Sequence, residues 1–426
     1  MLLLAAPVAA ADIPVASSLP PSSAPAVPAR VRPPIVILPG APGSELIDSR
    51  TGARVWPSAA LMSKRDGNAV LALPIDDPEA SPIVAGGLLR EVHVGGLKFR
   101  IHAYDGLEKR LRQLGYRQGS WSAPAEGAYY YFAYDWRQSV ETNGRRFSRE
   151  LDALYARAPA GTPPAVVLGH SLGGLIARYA LMYGDTALGA AGPLPPVTWA
   201  EGAHIGKLFL VATPNEGTFL ALQRLEKGIY YWHGHGAFSP ETLFTYPAVF
   251  DMIPGRIAPL VDRDGKPLPF NLDDPDDWER LGWSILDPAA ESRIPYASRR
   301  EHLAAELARI DRLRAAMGQR GLLPNPATLY VVGSLSRSVQ RTALLSESSR
   351  GLKVRFEAPP ASRSRLKPLL FEPGDAMVPV RSLRADSSDH DPAGSLRFAG
   401  IYESKRSHQD LLSSPETLDA LDEALK

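Results

Sequence analysis

The chain has 426 residues, of which 45% are hydrophobic and 22% are charged, proportions that exclude a wholly disordered or fibrous protein. Its 47 Lys and Arg residues nearly equal its 46 Asp and Glu residues, and the formal charge of +1 gives no electrostatic reason to expect a nucleic-acid partner. The absence of cysteine excludes disulfides, thiolate metal sites and a cysteine nucleophile.

The first segment of the chain predicts export. Residues 1–11 form an apolar run that ends in small residues, as a signal cleavage site requires, although no basic residue precedes it. We interpret this run as the remnant of a signal peptide, with a disordered tail as the alternative, and expect a periplasmic or secreted protein. Residues 12–33 are rich in Pro, Ser and Ala, a composition typical of a flexible linker.

From residue 34 onwards, short apolar runs alternate with amphipathic helical patterns. This alternation predicts a mostly parallel sheet with helices on both faces, an α/β domain over residues 34–426. The alternation stops at about 217–300, where the chain is rich in aromatic residues, and we expect an inserted cap or lid there. Residues 334–370 are rich in Ser and Arg and predict a long loop with a hairpin.

One motif in this pattern indicates a nucleophile. Residues 169–173 read Gly-His-Ser-Leu-Gly, between an apolar strand pattern that ends at Leu168 and a helical pattern that begins at Leu172. A nucleophile elbow has this strand–turn–helix setting, with glycines beside a serine that occupies a strained turn. Ser171 is therefore the predicted nucleophile, and the alternative is a glycine-rich turn with a capping serine.

A serine of this kind needs an imidazole base and a carboxylate that orients the base. The α/β-hydrolase fold supplies them in the chain order Ser, Asp or Glu, His. After residue 302 only His390 and His408 remain, and His408 lies between the last predicted strand and the last helix, whereas His390 lies in a polar loop. Asp375, in the segment Gly-Asp-Ala-Met-Val, is the predicted acid, and the competing aspartates are Asp386, Asp389 and Asp391.

An oxyanion hole needs two backbone N–H groups, one after the nucleophile and one from a loop near the first strand. Leu172 supplies the first group. The loop at residues 39–43 follows the first strand, and Ala41 is its best donor because Pro42 has no N–H. The alternative is that this loop is only a tight turn.

The aromatic segment at residues 230–250 predicts an apolar wall for an acyl chain, with Tyr231 and Trp232 as tentative substrate contacts, or else the core of a cap. His233 and His235 could suggest a metal pair, but no carboxylate cluster accompanies them in the sequence, so we predict no metal site and no cofactor.

Five segments occur in a characteristic order along the chain. They are residues 34–46 (PIVILPGAPGSEL), 133–137 (AYDWR), 169–174 (GHSLGG), 212–217 (ATPNEG) and 374–382 (GDAMVPVRS). In this combination they resemble the lecithin:cholesterol acyltransferase family, which includes lysosomal phospholipase A and phospholipid:diacylglycerol acyltransferases. The resemblance covers roughly residues 34–215 and 370–412.

The resemblance implies an α/β-hydrolase core with a cap and lid, and acyl transfer from a lipid ester. It carries the nucleophile, acid and base onto Ser171, Asp375 and His408, and the oxyanion donors onto Ala41 and Leu172. Asp135 and Trp136 match a family segment near the site and are tentative substrate contacts or structural residues. The chain departs from the family pattern at residues 376–377, where Ala-Met replaces the usual Gly-Thr or Asp-Thr, and in its lack of disulfides.

We therefore expect a serine acyl hydrolase or O-acyltransferase that acts on phospholipid or other lipid esters, with an alcohol or sterol as a possible acceptor and transient contact with a membrane surface. One alternative is a general esterase or lipase without transferase activity. A more distant alternative is an inactive binding protein with a hydrolase fold, against which the intact set of three catalytic residues argues.

Overall fold

The computed structural model describes residues 31–426 except 63, 65–66, 95–96, 101, 231–237, 256–259, 349–350, 358–362 and 386–395. The predicted signal remnant at 1–11 and nearly all of the linker at 12–33 lie outside the described residues. No helix among the described residues combines the length and the hydropathy that crossing a membrane requires.

The described strands are β1 (Ile35–Leu38), β2 (Ser44–Asp48), β3 (Arg54–Trp56), β4 (Ile83–Leu88), β5 (Glu91–Val94), β6 (Leu97–Arg100), β7 (Arg117–Gln118), β8 (Ala128–Tyr131), β9 (Ala165–His170), β10 (Ile205–Val211), β11 (Leu260–Val261), β12 (Thr328–Ser334), β13 (Arg337–Gln340), β14 (Ala343–Ser348), β15 (Gly351–Arg355), β16 (Phe371–Gly374) and β17 (Phe398–Ser404).

The described α-helices are α1 (Ala59–Met62), α2 (Asp105–Gln113), α3 (Val140–Arg157), α4 (Leu172–Tyr183), α5 (Phe219–Lys227), α6 (Pro240–Phe244), α7 (Pro247–Asp251), α8 (Pro275–Leu281), α9 (Tyr296–Met317), α10 (Arg363–Leu370), α11 (Val380–Arg384) and α12 (Pro415–Leu425). Short 3-10 helices include Ala200–Ala203 and His408–Ser413.

Seven strands form a parallel sheet in the order β17-β12-β10-β9-β1-β8-β7. The central strands β1 and β9 are buried along their whole length, which explains their continuous apolar sequences. Alternate residues of β1 enter different hydrophobic clusters: Ile35 packs in the cluster that contains α2 and α12, and Val36 in the one that contains α3 and α4. Helices thus cover both faces, and the predicted α/β-hydrolase fold is confirmed.

Helix starts follow the capping signals in the sequence. Ser414 caps α12 by accepting the N–H of Thr417 at 3.2 Å, and Pro415 occupies the first helical position. Ser139 caps α3 in the same way, through the N–H of Thr142 at 2.9 Å. Helix α3 begins shortly after the segment that includes Asp135 and Trp136, and its start therefore fixes the end of that segment.

The segment at 217–300, where we expect an insertion, contains α5 to α8 and β11, and residues from the stretch at 334–370 pack against it. In the stretch expected to be a loop with a hairpin, β14 and β15 form the hairpin, and β14 also pairs with β11 of the insertion. Phe356, just after β15, packs against Trp283 with ring centroids 6.2 Å apart. Two separate parts of the chain therefore pack together, because the hairpin and Phe356 bury apolar side chains against the segment at 217–300. We call this segment with the hairpin the cap, and its role as a cap or lid over the site remains a prediction.

Candidate active site

Ser171 lies in a sharp turn between β9 and α4. Its φ of 52° and ψ of −123° are unusual for a residue other than glycine. The turn is held by two main-chain bonds: the Ser171 N–H donates to the Val211 carbonyl at 2.8 Å, and its carbonyl accepts the N–H of Gly174 at 3.0 Å. The structure thus has the strand–turn–helix that the motif predicts.

The glycines around Ser171 are required by the packing of the elbow. A Cβ on Gly173 would stand 2.6 Å from the carbonyl oxygens of Leu38 and Pro39. A Cβ on Gly174 would stand 1.9 Å from Oγ1 of Thr213. Any larger residue would push α4 away from the strands below it, so the motif pattern follows from close backbone packing.

His408 and Asp375 form a buried pair. The Nδ1 of His408 lies 2.8 Å from Oδ2 of Asp375, and the His408 N–H donates to the Asp375 carbonyl at 3.1 Å. Oδ1 of Asp375 accepts the N–H groups of Met377 at 2.9 Å and Val378 at 2.7 Å. A carboxylate that accepts from Nδ1 selects the tautomer with its hydrogen there, which leaves the lone pair on Nε2 to accept a proton.

The strand ends bring this pair to the elbow. Asp375 follows β16, and His408 follows β17 at the carboxyl edge of the main sheet, where β9 also ends. Nε2 of His170, the residue before Ser171, lies 2.9 Å from the carbonyl oxygen of His408. Ser171, Asp375 and His408 therefore lie in one region, and their catalytic roles stay predictions. The competing His390 and the aspartates Asp386, Asp389 and Asp391 lie outside the described residues.

The loop after β1 runs beside the elbow. The N–H of Gly43 donates to the Gly40 carbonyl at 2.7 Å, which makes a tight turn. A Cβ on Gly40 would stand 3.0 Å from Cβ of Ser171, so this turn also touches the elbow. Ala41 is half-buried in it, and Leu172 is fully buried at the start of α4. Both lie next to Ser171 in space or in sequence, and their role as oxyanion donors remains a prediction.

The Tyr-Asp-Trp-Arg segment supports that loop. The Tyr134 hydroxyl donates to the Pro39 carbonyl at 2.6 Å, and the Trp136 indole N–H donates to the Ser44 carbonyl at 3.1 Å. No sequence signal marks Tyr134 as a support of this loop, although a tyrosine buried beside a loop needs a partner for its hydroxyl.

Asp135 is also engaged within the protein. Its carboxylate binds Nε of Arg137 at 2.9 Å and Nη2 at 2.6 Å, and Arg137 is fully buried. The remaining guanidinium N–H groups reach the carbonyls of Leu71 and Ile83 at 2.9 and 2.6 Å. The contacts of Asp135 and Trp136 that the structure shows are structural, and substrate contact by either remains a prediction.

A second supporting connection went unrecognised in the sequence. Asn215 donates through Nδ2 to the Leu383 carbonyl at 3.0 Å and accepts at Oδ1 from Arg178 of α4 at 3.3 Å. The Glu216 N–H donates to Oγ of Ser382 at 3.0 Å. The loop after β10 thereby joins the elbow helix to α11, which follows the Asp375 loop. The segment at 212–217 contributes to the family resemblance, but nothing in its sequence reveals these distant partners.

The tentative substrate contacts Tyr231 and Trp232 lie outside the described residues, as do His233 and His235. Among the described aromatic residues of the segment at 230–250, Tyr230 is 53% exposed and the other four are buried: Phe238, Phe244, Tyr246 and Phe250. Phe238 packs against Trp56 and Trp136 with ring centroids 5.1 and 5.8 Å apart. The buried side chains belong to the large hydrophobic cluster that also contains sheet residues, and both an acyl-chain wall and a cap core at residues 230–250 remain predictions.

Among the described residues, one group of side chains is close enough to share a metal ion: Asp152, Glu201 and His204. Nδ1 of His204 lies 2.9 Å from Glu201 and 3.3 Å from Asp152, distances of ordinary hydrogen-bonded pairs. His204 precedes β10, at the edge of the sheet opposite to Ser171. This group therefore takes no part in the chemistry at the elbow.

Part of the chain is similar to a known protein family. Residues 94–244 match the family described as lecithin:cholesterol acyltransferase, a stretch that contains Ser171 and the Tyr-Asp-Trp-Arg segment. No curated protein matches the chain.

The chain is also similar to solved structures. A chain of the Tle4–Tli4 complex is 12% identical with a TM-score of 0.56, over 91% of this chain and 97% of that one. Lipase BlEst2 of Bacillus licheniformis is 10% identical in its propeptide form, with a TM-score of 0.39 over 93% of this chain and 51% of that one. Its mature form is 11% identical, with a TM-score of 0.37 over 94% of each chain. From its sheet order, its elbow and the family match, the chain is an α/β-hydrolase similar to the lecithin:cholesterol acyltransferase family.

Proposed function

We propose that the protein is a serine acyl hydrolase or O-acyltransferase that acts on lipid esters, phospholipids first among them, through an acyl-enzyme on Ser171. The family match supports lipid ester chemistry in general. The observation that carries the finer proposal is the buried His408–Asp375 pair, 2.8 Å apart, beside a strained serine elbow.

In the first half-reaction, Nε2 of His408 takes the proton from the Ser171 hydroxyl as Oγ bonds to the ester carbonyl carbon. The resulting oxyanion accepts hydrogen bonds from the N–H groups of Ala41 and Leu172, next to the positive end of the α4 dipole. The carbon–oxygen bond of the ester then breaks, and His408 returns its proton to the departing alcohol. The acyl group remains on Ser171.

In the second half-reaction, water or an alcohol gives its proton to His408 and attacks the acyl-enzyme. Collapse of this intermediate returns the proton to Ser171 and releases a fatty acid or a new ester. Asp375 acts throughout by holding Nδ1–H of His408 and by stabilising the imidazolium that forms in each half-reaction. Whether water or alcohol attacks decides between hydrolase and transferase.

We also propose that the protein works outside the cytoplasm and meets its substrate at a lipid surface. The apolar run at 1–11 supports export. If the protein is a transferase, its acyl acceptor is a long-chain alcohol or a sterol.

The test uses purified protein without residues 1–11 and acyl-labelled phosphatidylcholine, with and without a sterol or long-chain alcohol. We expect labelled fatty acid, new ester or both, and we expect Ser171→Ala to lower kcat by at least about 10³-fold because the acyl-enzyme cannot form. Ser122→Ala is the matched control, since Ser122 is exposed and bonds only locally to Ser120.

Each product has a defined meaning. New ester that depends on Ser171 establishes a transferase, and fatty acid alone establishes a phospholipase or lipase. If the protein hydrolyses a soluble p-nitrophenyl ester but no phospholipid, it is a general esterase and the proposed lipid substrate is wrong. Ester hydrolysis by Ser171→Ala at the wild-type rate would overturn the mechanism.

A further inference from the structure

His170 occupies the unassigned second position of the Gly-His-Ser-Leu-Gly motif. It is the last residue of β9 and is only 8% exposed, although an imidazole gains little from burial without a partner. The proposed mechanism uses His408 and gives His170 no role.

One edge of the His170 ring faces the main chain of His408. Nε2 lies 2.9 Å from the His408 carbonyl oxygen, and the two ring centroids are 5.1 Å apart. Since a carbonyl oxygen only accepts, Nε2 must carry the hydrogen and donate it. Burial and the neighbouring His408 lower the pKa of His170 to about 4, so the ring is neutral at pH 7. The hydrogen bond and the neutral ring together define one tautomer, with Nδ1 unprotonated.

The other edge of the ring faces the loop after β1. A Cβ on Gly40 would stand 2.8 Å from Nδ1 of His170 and 3.3 Å from its Cε1. The main chain of this loop therefore packs directly on the imidazole. His170 separates the loop of the proposed oxyanion donor Ala41 from the segment of the proposed base.

His408 is 238 residues from His170 in the sequence. Its position relative to Ser171 is therefore set by tertiary contacts such as this hydrogen bond. Its N–H is held by the Asp375 carbonyl and its Nδ1 by the Asp375 carboxylate. Its carbonyl is held by His170, which is covalently joined to Ser171. This bond joins the side chain of the residue before the proposed nucleophile to the main chain of the proposed base.

We propose that His170 is a positioning residue whose Nε2–H donation fixes the main chain of His408 relative to Ser171. The inference rests on the proposed function, since the fixed distance matters only if His408 is the base for Ser171. Displacement of a reacting group by about 1 Å can cost about 10²-fold in rate. Loss of this hydrogen bond should thus slow acylation and leave substrate affinity nearly unchanged.

The test compares His170→Gln with His170→Met, two side chains of similar size and flexibility of which only Gln can donate. With a phospholipid or p-nitrophenyl ester, we expect Met to lower kcat by about 10- to 100-fold, with KM changed by less than about twofold. Gln should recover most of the lost kcat. If His170 only fills space, Met suits the buried site at least as well as Gln. A Met variant as active as the Gln variant would therefore overturn the proposal.

Two further measurements separate the possible failures. Ser171→Ala in parallel tests the proposed function by itself: an inactive Ser171→Ala beside a fully active His170→Met would reject the positioning role and keep the nucleophile. If neither His170 variant folds, ¹H–¹⁵N correlation of the histidine rings in the wild-type protein decides. We expect His170 to be neutral with its hydrogen on Nε2, and a hydrogen on Nδ1 with a bare Nε2 would contradict the donation.

Discussion

Ala376 lies in the turn that presents Asp375, and its φ is +84°. This left-handed region costs a residue with a Cβ about 1–2 kcal/mol. The turn is imposed by the acid itself, because Oδ1 of Asp375 accepts the N–H groups of Met377 and Val378 on the far side of Ala376. In the family pattern this position is often glycine, so the chain keeps the turn and retains the strain.

We predict that Ala376→Gly raises the free energy of unfolding by about 0.5–1 kcal/mol. Relief of strain exceeds the additional chain entropy that glycine loses on folding, and Ala376 is exposed, so no cavity forms. Urea denaturation measures the difference. Ala308→Gly is the matched control: this exposed residue lies in the middle of α9, and the same substitution there should cost about 1 kcal/mol. Equal losses at both positions would show that Ala376 is unstrained.

At the scale of elements, the packing of α4 against the end of β10 determines which residues the elbow accepts. We predict that Gly174→Ala lowers the free energy of unfolding by about 1–3 kcal/mol, because its Cβ would stand 1.9 Å from Oγ1 of Thr213. Gly87→Ala is the control, since a Cβ at Gly87 of β4 meets nothing within 4 Å. It should leave stability unchanged or slightly raised.

A double variant checks the cause of that loss. In the Gly174→Ala background, Thr213→Ala removes the closest atom and should restore part of the lost free energy, as thermal and urea unfolding would show. Additive losses for the two substitutions would mean that the contact with Thr213 does not explain the glycine.

Tertiary packing also explains which parts of the site the sequence could predict and which it could not. The strand, turn and helix around Ser171 are encoded in consecutive residues, and His408 and Asp375 can be predicted as its partners because each follows a recognisable strand or turn. The bonds of Asn215 to Leu383 and of Tyr134 to Pro39 join residues far apart in the chain. The paired strands β14 and β11 are also far apart in the chain. Both are short and have polar neighbours, so the local sequence indicates a loop. Local patterns carry no signal for such tertiary partners.

At the scale of the whole molecule, the cap and the sheet share one hydrophobic cluster, which runs from Val36 of β1 to Trp278 of α8. A buried polar junction adds to it. Asp251, at the end of α7 in the insertion, accepts the N–H of Val140 at the start of α3 at 2.6 Å and pairs with Arg309 of α9 at 2.6 Å. The Asp251 side chain is fully buried. Cap and core should consequently unfold together.

We predict that Asp251→Asn lowers the free energy of unfolding of the whole protein by about 2–3 kcal/mol. Loss of one partner from a buried ion pair commonly costs about 3–5 kcal/mol, and Arg309 retains its bond to Glu306 at 2.7 Å, which reduces the loss. Asp264→Asn is the matched control: its pair with Arg365 is 3.4 Å long and 83% of the Asp264 side chain is exposed, so the change should be below about 0.5 kcal/mol. Amide hydrogen exchange followed by mass spectrometry measures the two parts separately, with α8 as the reporter of the cap and α4 as the reporter of the core. If Asp251→Asn raised the exchange rate in α8 and left that in α4 unchanged, the cap would be an independent lid, because a shared junction must destabilise both parts at once.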